Sequence, residues 1–522
     1  MNSDYDIIII GSGAGGGTLA YALADTGKKI LILERGDFLP REKGNWDPEV
    51  VFKERRYQTD ETWLNADDVT YNPMMYYNVG GNTKMYGALL HRQRPGDFTE
   101  MEHKGGTSPG WPVGYDEFEP YYLMAEHIMK INGDRSEDPT EGWASGPYPL
   151  GPFRHEPRIQ EVADELKKAG LNPFHSTLAL NRDHNDPWRR PCIRCNTCDP
   201  FPCLLHAKSD AETAMVRPAL QWDNVEMWTN AHVDKLIEKD GRISSVELTH
   251  EGAIKSLSAG LIVVSCGAIN SAALLLRSGV ANSSGQVGRN FIKHNQTGLT
   301  SVHSKPNPTV FQKTLGVHDF YYGSPEHNYP LGTIQLTGKA HWTRVQGDVK
   351  GDLPEEQARF IADHAVDFFF TSEDLPDEHN RIELKNGKIK FNYRPNNVES
   401  HNELISYFRD EYLRPQGFYM FLPWMMDHHV AWHQAGTCRF GEDKKTNVLD
   451  LNCKAHDLDN LYVVDASFQP SMGATNPTLT IIANAIRVAE HLRRDWLKED
   501  AVNLNFPTEG MYMADSVKAN VS

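Results

Sequence analysis

The stretch that decides the fold stands near the start of the chain: Tyr5-Asp6-Ile7-Ile8-Ile9-Ile10-Gly11-Ser12-Gly13-Ala14-Gly15-Gly16-Gly17. Residues 5–10 are mostly apolar and β-rich, the pattern of a strand buried on both faces. The glycines form a turn that opens into a helical pattern through Ala24, ending near Gly27. A second apolar strand, Lys29–Leu33, runs up to Glu34. Strand, Gly-x-Gly-x-x-Gly, helix, strand and acid in this order mark a dinucleotide-binding βαβ unit. Gly11 and Gly13 let the backbone turn tightly and approach a pyrophosphate, and Gly16 lets the helix pack close to the strand. Ser12, Ala14 and Gly15 complete the loop, whose free N–H groups and helix dipole suit phosphate. Glu34, followed by Arg35, can accept both hydroxyls of an adenosine ribose and would repel a 2′-phosphate. NADP is therefore disfavoured, while FAD and NAD both fit.

Outward from this unit, the 522 residues are 39% hydrophobic and 24% charged, with 11 Trp, 20 Tyr and 21 Phe. That suffices for a large packed core, and the length points to two to four domains at roughly 150 residues each. With 53 Lys+Arg against 70 Asp+Glu the formal charge is −17, which speaks against nucleic acid or anionic membrane as partners. The longest apolar run, Leu261 to Leu276, is interrupted by Ser265, Gly267, Asn270 and Ser271 and is too short to span a bilayer. The first residues carry no basic segment, so their apolar stretch reads as a strand and not as a secretion signal. Seven cysteines, an odd number, argue against a disulfide framework and for a reducing, cytoplasmic setting.

Residues 37–78 read as a long extended connection, and a second glycine cluster follows at Val79-Gly80-Gly81-Asn82-Thr83-Lys84-Met85-Tyr86-Gly87-Ala88. Trp111 to Glu126 reads as a turn leading into a helix, and 134–160 as loop. Alternation marks strands at Val225–Trp228, Ala231–Glu238, Arg242–Thr249 and Leu261–Val264, with Asp240-Gly241 joining the middle two as a hairpin. Residues 300–430 read as a separate α+β unit, within which Phe311-Gln312-Lys313 is expected to be a solvated loop. The end returns to α/β with a strand at Leu461–Asp465, a loop through Pro477 and a helix from Thr478 to about Leu497.

Three further segments carry a resemblance. They are Trp432-His433-Gln434-Ala435-Gly436-Thr437-Cys438-Arg439, then Leu461-Tyr462-Val463-Val464-Asp465-Ala466-Ser467, then Gly473-Ala474-Thr475-Asn476-Pro477-Thr478-Leu479-Thr480. With the Gly11–Gly17 loop and Gly80-Gly81, the chain resembles the glucose–methanol–choline (GMC) family of FAD-dependent alcohol oxidoreductases from residue 5 to about 492. It is most similar to the sugar-oxidising branches: pyranose oxidases, glycoside 3-oxidases and bacterial FAD glucose dehydrogenases. The resemblance implies an α/β, Rossmann-like FAD-binding domain (1–100, 205–299 and 430–499) interleaved with an α+β substrate domain (101–204 and 300–429), and an arm over 500–522. It implies that a base takes the proton of a small-molecule alcohol or sugar while hydride goes to flavin N5, and that O2 or another acceptor takes the electrons.

His433 matches the family's catalytic histidine and Asn476 its partner. An imidazole with an ordinary pKa near 6.5 suits a base at neutral pH, and an amide can hold the same oxygen without titrating. His428 and His429 match no motif and read as surface or structural residues. Trp432 reads equally as a wall of the site and as core. Implied cofactor contacts include the Gly11–Gly16 loop with Glu34 and Arg35, then Gly80, Gly81, Asn82, Thr83, Gly87 and Ala88 around the second glycine cluster. The backbone at Val233 is expected at the adenine, and the Cys266-Gly267 turn behind the adenosine. Asp465-Ala466 sits at a strand's C-terminal end, where α/β sheets bind ligands, and Asn476, Pro477 and Thr478 complete the set.

Three departures follow. Covalent members tether the flavin through a histidine in the segment aligned with Lys84-Met85-Tyr86; with none there, FAD is expected to be dissociable. Asn82 breaks the small-residue run usual after the two glycines. Finally, Cys192-x-x-Cys195-x-x-Cys198-x4-Cys203 has spacing akin to zinc and iron–sulfur sites, but reduced thiols or a local disulfide are the preferred reading and no metal is assigned. Two rival functions remain open on the sequence: an NAD-dependent dehydrogenase, and a lyase on the same fold, like the hydroxynitrile lyases.

Overall fold

The computed structural model describes residues 3–186, 189–348, 353–426 and 431–498. His428, His429 and the 500–522 arm lie outside the described residues. A five-stranded parallel sheet runs, in spatial order, Val225–Trp228, Ile30–Leu33, Tyr5–Ile10, Ala259–Val264 and Leu461–Val463. Ile7, Ile8 and Ile9 are fully buried at its centre, as a strand covered on both faces requires. From Tyr5–Ile10 the chain moves first to one side, through Ile30–Leu33, and later to the other, through Ala259–Val264. The strand order therefore reverses between Tyr5–Ile10 and Ala259–Val264, and a crevice opens outside their C-terminal ends, at Gly11 and Ser265. Helix Ala14–Leu23 packs on helix Thr478–His491, joining the two ends of the chain.

Ala231–Lys239 and Arg242–His250 form the expected hairpin, extended by Ala253–Leu257 into a three-stranded sheet. Both turn residues, Asp240 (φ 53°) and Gly241 (φ 77°), take the left-handed conformation that two-residue hairpins favour.

A six-stranded antiparallel sheet forms the second half of the molecule, in the order Phe418–Met425, Asn295–His303, Ala365–Ser372, Thr333–Leu336, Leu315–Val317, Phe174–His175. Side chains alternate across it. Leu299, Ile334, Leu336, Phe368 and Phe370 join one core with Ile159, Val162 and Leu166 of helix Pro157–Lys168. Gln296, Gln335, Phe369 and Trp424 line the cavity on the opposite side. Gly298 is required there, because a β-carbon would fall 1.9 Å from the Trp424 ring.

Several expectations need correction. Residues 37–78 are not only an extended connection: they contain helical turns at Lys43–Trp46 and Glu49–Lys53 and two short strands, of which Trp63–Leu64 pairs with Lys388–Asn392. Helix Pro157–Lys168 begins inside the segment read as loop. Phe311-Gln312-Lys313 is buried and not solvated. Its polar groups find partners inside: the Lys313 ammonium donates to the Gly87 carbonyl, and Gln312 Nε2 to Asp367 at 3.0 Å. Among the described residues, no helix is long and apolar enough to cross a membrane.

Candidate active site

The crevice deepens into a cavity of about 640 Å³ that runs from the glycine loop to the polar face of the six-stranded sheet. The glycines divide into two kinds. A β-carbon on Gly11, Gly15 or Gly16 would lie 2.3 Å from Ser265 O, 1.7 Å from Val464 O or 2.0 Å from Gly11 O, so these three are demanded by close packing of strand, turn and helix. A β-carbon on Gly13 would meet nothing within 4 Å, so this bare backbone faces the cavity. Glu34 is buried behind the loop: its Oε2 accepts from Ser12 N (3.1 Å) and Ser12 Oγ (2.6 Å), and its Oε1 from Gly36 N (3.0 Å). Burial raises its pKa, and the Ser12 and Gly36 bonds oppose that rise. Arg35 lies over the Tyr77 ring at 3.7 Å and reaches Glu61 at 3.5 Å.

The second glycine cluster closes the opposite wall. Gly80 has φ 90°, and its N–H donates to Ser12 Oγ at 3.1 Å, joining the two loops. Gly80, Gly81, Asn82, Thr83 and Gly87 line the cavity, and Ala88 does not. Ala88 is buried behind the wall, where its carbonyl accepts from Ala179 N at 2.8 Å. Gly16 is likewise behind the loop and acts only through packing. In the tether segment, Lys84 is spent on Asp210 (3.0 Å) and Glu212 (2.6 Å), Met85 is buried and the Tyr86 hydroxyl donates to Ser209 O.

Val233, Cys266, Gly267, Asp465, Ala466, Asn476, Pro477 and Thr478 all line the same cavity. Asp465 also works as a brace: Oδ2 accepts from Gly267 N (3.0 Å) and Ser271 Oγ (2.5 Å), and Oδ1 from Ser467 N (2.8 Å). It thereby locks the two strand-end turns together. Asn78 is buried in the wall with neither end of its amide bonded among the described residues. The bare cradle at Gly13, this orphan amide and the Glu34 carboxylate fit a dinucleotide such as FAD. Glu34→Ala is expected to weaken FAD binding by tenfold or more, since hydrogen bonds to charged groups are worth about 1.5–3 kcal/mol. Titration of apoprotein with FAD checks this, and an unchanged affinity would refute it.

His433 and Asn476 are brought into the same cavity from loops 43 residues apart in sequence. His433 Nδ1 is 2.9 Å from His294 Nδ1 and 3.0 Å from Gln296 Nε2. Burial, assisted by Lys293, pushes the His433 pKa down to about 4, so the ring is neutral at pH 7. Trp432 donates from Nε1 to Met74 O (2.8 Å), packs near Tyr76 and walls the cavity. His294 and Gln296 were absent from the sequence-based set. They carry no local motif, and only the pairing of segments about 140 residues apart in the chain reveals them.

The four clustered cysteines are free thiols. Burial pushes the Cys192 thiol up to about 12, and the neighbouring Cys198, Cys195 and Cys203 add to the shift. Among the described residues, no three His, Cys, Asp or Glu side chains are grouped so as to hold a metal ion. Asn196, Thr197, Asp199, Pro200 and Phe201 of this loop line the cavity.

Comparison with known proteins agrees with this geometry. Family models described as GMC oxidoreductase match residues 5–296 and 418–485. Paromamine 6′-oxidase of Streptomyces fradiae is 29% identical, over 94% of this chain and 92% of its own length. The fructose dehydrogenase large subunit of Gluconobacter japonicus is 25% identical, over 94% and 98%. Among solved structures, pyridoxine 4-oxidase from Mesorbium loti superposes with a TM-score of 0.67 at 18% identity, over 94% of this chain and 99% of that one. With the glycine-loop crevice at one end of the cavity and the His433–Asn476 pair lining it, the chain belongs to the GMC oxidoreductase family, enzymes with an FAD-binding fold that act on CH–OH groups.

Proposed function

We propose that the protein oxidises a hydroxyl of a sugar or glycoside to a carbonyl, using FAD held without a covalent bond. The observation that carries this reading is the neutral His433 sharing a cavity with Asn476. An imidazole with a pKa near 4 is ready to accept a proton at any pH above about 5. The Asn476 amide would donate to the same substrate oxygen, hold it toward His433 and stabilise its developing negative charge. Bound FAD would supply the acceptor for the hydride leaving the carbinol carbon. Gln296 and Gln335 offer amides to further hydroxyls of a polyol ring, while Phe369, Trp424 and Trp432 keep bulk water from the reacting centre. The sugar-related names of two relatives, paromamine 6′-oxidase and fructose dehydrogenase, support the choice of substrate class.

On this reading, the cavity-lining residues of the two glycine loops, with Glu34, hold the cofactor, and Val233, Gly267 and Ala466 border it. Electrons then pass to O2 or another acceptor. The seven free thiols suit a reducing compartment such as the cytoplasm. Mixing the yellow enzyme anaerobically with a panel of sugars, glycosides and simple alcohols tests the assignment. Bleaching of the flavin by at least one sugar or glycoside is expected, and bleaching by NADH alone would overturn it. Acid precipitation should leave the flavin in the supernatant, because no histidine occupies the segment around Met85. Yellow colour retained in the washed pellet would contradict non-covalent binding.

A further inference from the structure

His433 can act as a base only through a nitrogen that carries no hydrogen, and its Nδ1 is already occupied. Two groups crowd that atom, His294 Nδ1 at 2.9 Å and the Gln296 amide at 3.0 Å. A neutral imidazole has one N–H and one lone pair. If Nδ1 held the lone pair, Nε2 would carry the hydrogen and could not accept the substrate proton. We infer that His294 is a positioning residue that accepts the Nδ1 hydrogen of His433 and so fixes the tautomer in which Nε2 is free; this rests on the assignment of His433 as base. The Gln296 amide, whose two ends have the same shape, then turns its oxygen toward the same hydrogen.

The surroundings of His294 are built for this role. The residue is fully buried and its backbone is left-handed, with φ 71°, a conformation uncommon for any residue with a β-carbon. Asp374, itself buried, holds it there by accepting from His294 N (2.9 Å) and Lys293 N (3.0 Å), and is fixed in turn by the Tyr393 hydroxyl (2.8 Å). Burial, with His433 beside it, holds the His294 pKa well below its ordinary value, so this ring too is neutral and carries a single hydrogen. With Nδ1 accepting from His433, that hydrogen stands on Nε2, a buried atom with no hydrogen-bond partner among the described residues. Met472 and Gly473 donate their N–H groups to Glu373 Oε1 at 3.2 and 3.1 Å. Two consecutive carboxylates, Glu373 and Asp374, therefore hold the loop leading to Asn476 and the turn bearing His294. When substrate gives its proton to Nε2, the Nδ1–H bond to His294 stays in place, and the positive ring keeps its orientation.

The test uses holoenzyme labelled with ¹⁵N-histidine, in which the two neutral tautomers give separate nitrogen signals; those of His433 are identified by their loss in His433→Ala. The parent is expected to show His433 with its hydrogen on Nδ1, and His294→Ala to move that population toward Nε2. In anaerobic mixing, His294→Ala should reduce its flavin about 10²–10⁴-fold more slowly at saturating sugar, with little change in sugar affinity, the upper end being the loss for a wholly wrong tautomer. His294→Asn places an amide oxygen where Nδ1 stood and tolerates positive φ, so it should recover most of the rate. A parent enzyme with the hydrogen on Nε2 of His433 would overturn the inference, as would parental tautomer and rate in His294→Ala. If His433→Ala itself keeps the parental rate, the base assignment fails instead, and the tautomer reading remains a separate result. Should the alanine variant not fold, the parent spectrum still decides.

Discussion

His433→Ala is expected to retain its FAD and its fold while flavin reduction by a sugar slows by about 10²–10⁴-fold, the usual loss for a positioned acid–base group. The fold should survive because, among the described residues, the imidazole bonds only to His294 and Gln296. Asn476→Ala should lose less, since it removes a dipole and leaves the proton acceptor. The pH profile of the parent carries the sign. Burial and Lys293 lower the His433 pKa to about 4, so the active neutral form persists down to that region. Reduction should be flat at neutral pH and fall only as pH drops through about 4. The sequence suggests a profile governed by a perturbed histidine, and burial sets the direction of that perturbation downward from the ordinary value near 6.5. A midpoint near 6.5 would show that the ring is solvated in the working enzyme. A His433→Ala variant that reduces its flavin at the parental rate would remove it from the chemistry.

Gly15→Ala should yield protein that is destabilised and colourless. The added methyl would lie 1.7 Å from the Val464 carbonyl and 2.7 Å from Ser265 Oγ, inside a contact that already holds a Ser265 Oγ–Val464 O hydrogen bond of 2.6 Å. Main-chain atoms cannot yield as a side-chain tip can, so the cost should reach or exceed the roughly 1–3 kcal/mol of ordinary overpacking. Gly13→Ala provides the contrast. Its methyl meets no protein atom within 4 Å, so the apoprotein should melt at the parental temperature yet bind FAD poorly. Thermal melts with and without FAD, together with the ratio of flavin to protein absorbance, separate the two cases. Equal behaviour of the two variants would show that the loop glycines are not divided between packing and cofactor approach.

Local chemistry made the FAD end of the site readable. The glycine loop, Glu34 and the Asn476-Pro477-Thr478 turn are contiguous motifs whose residue types follow from backbone geometry, and the cavity gathers the motif residues named from them, Gly16 and Ala88 excepted. Gly16 packs against Gly11, as its place in the motif predicts, whereas Ala88 shows the limit of motif reading: neighbouring residues of one segment face opposite ways, and sequence does not say which meets the cavity. The substrate end was opaque for a different reason. Gln296, Gln335, Phe369 and Trp424 share a wall only because antiparallel register aligns Gly298 with both Phe369 and Trp424, and Phe369 with Gln335. No periodicity within one segment encodes that alignment. Buried Lys313 was misread because an ammonium without a local partner looks solvated, whereas its acceptor, the Gly87 carbonyl, lies 226 residues away.

The parallel sheet has a consequence for biosynthesis. Its first strand, Tyr5–Ile10, pairs with Ala259–Val264, which in turn pairs with Leu461–Val463. At the 5–20 residues per second of translation, the second strand leaves the ribosome tens of seconds after the first, and the last some tens of seconds later still. Throughout that time the isoleucine-rich first strand has an open edge, and the glycine loop lacks the Val464 carbonyl that packs against it. Such late, long-range closure is slow and aggregation-exposed. Flavin capture must therefore be one of the last events in the maturation of the chain, and yields in overexpression should respond to chaperone supply and slower translation as well as to added riboflavin.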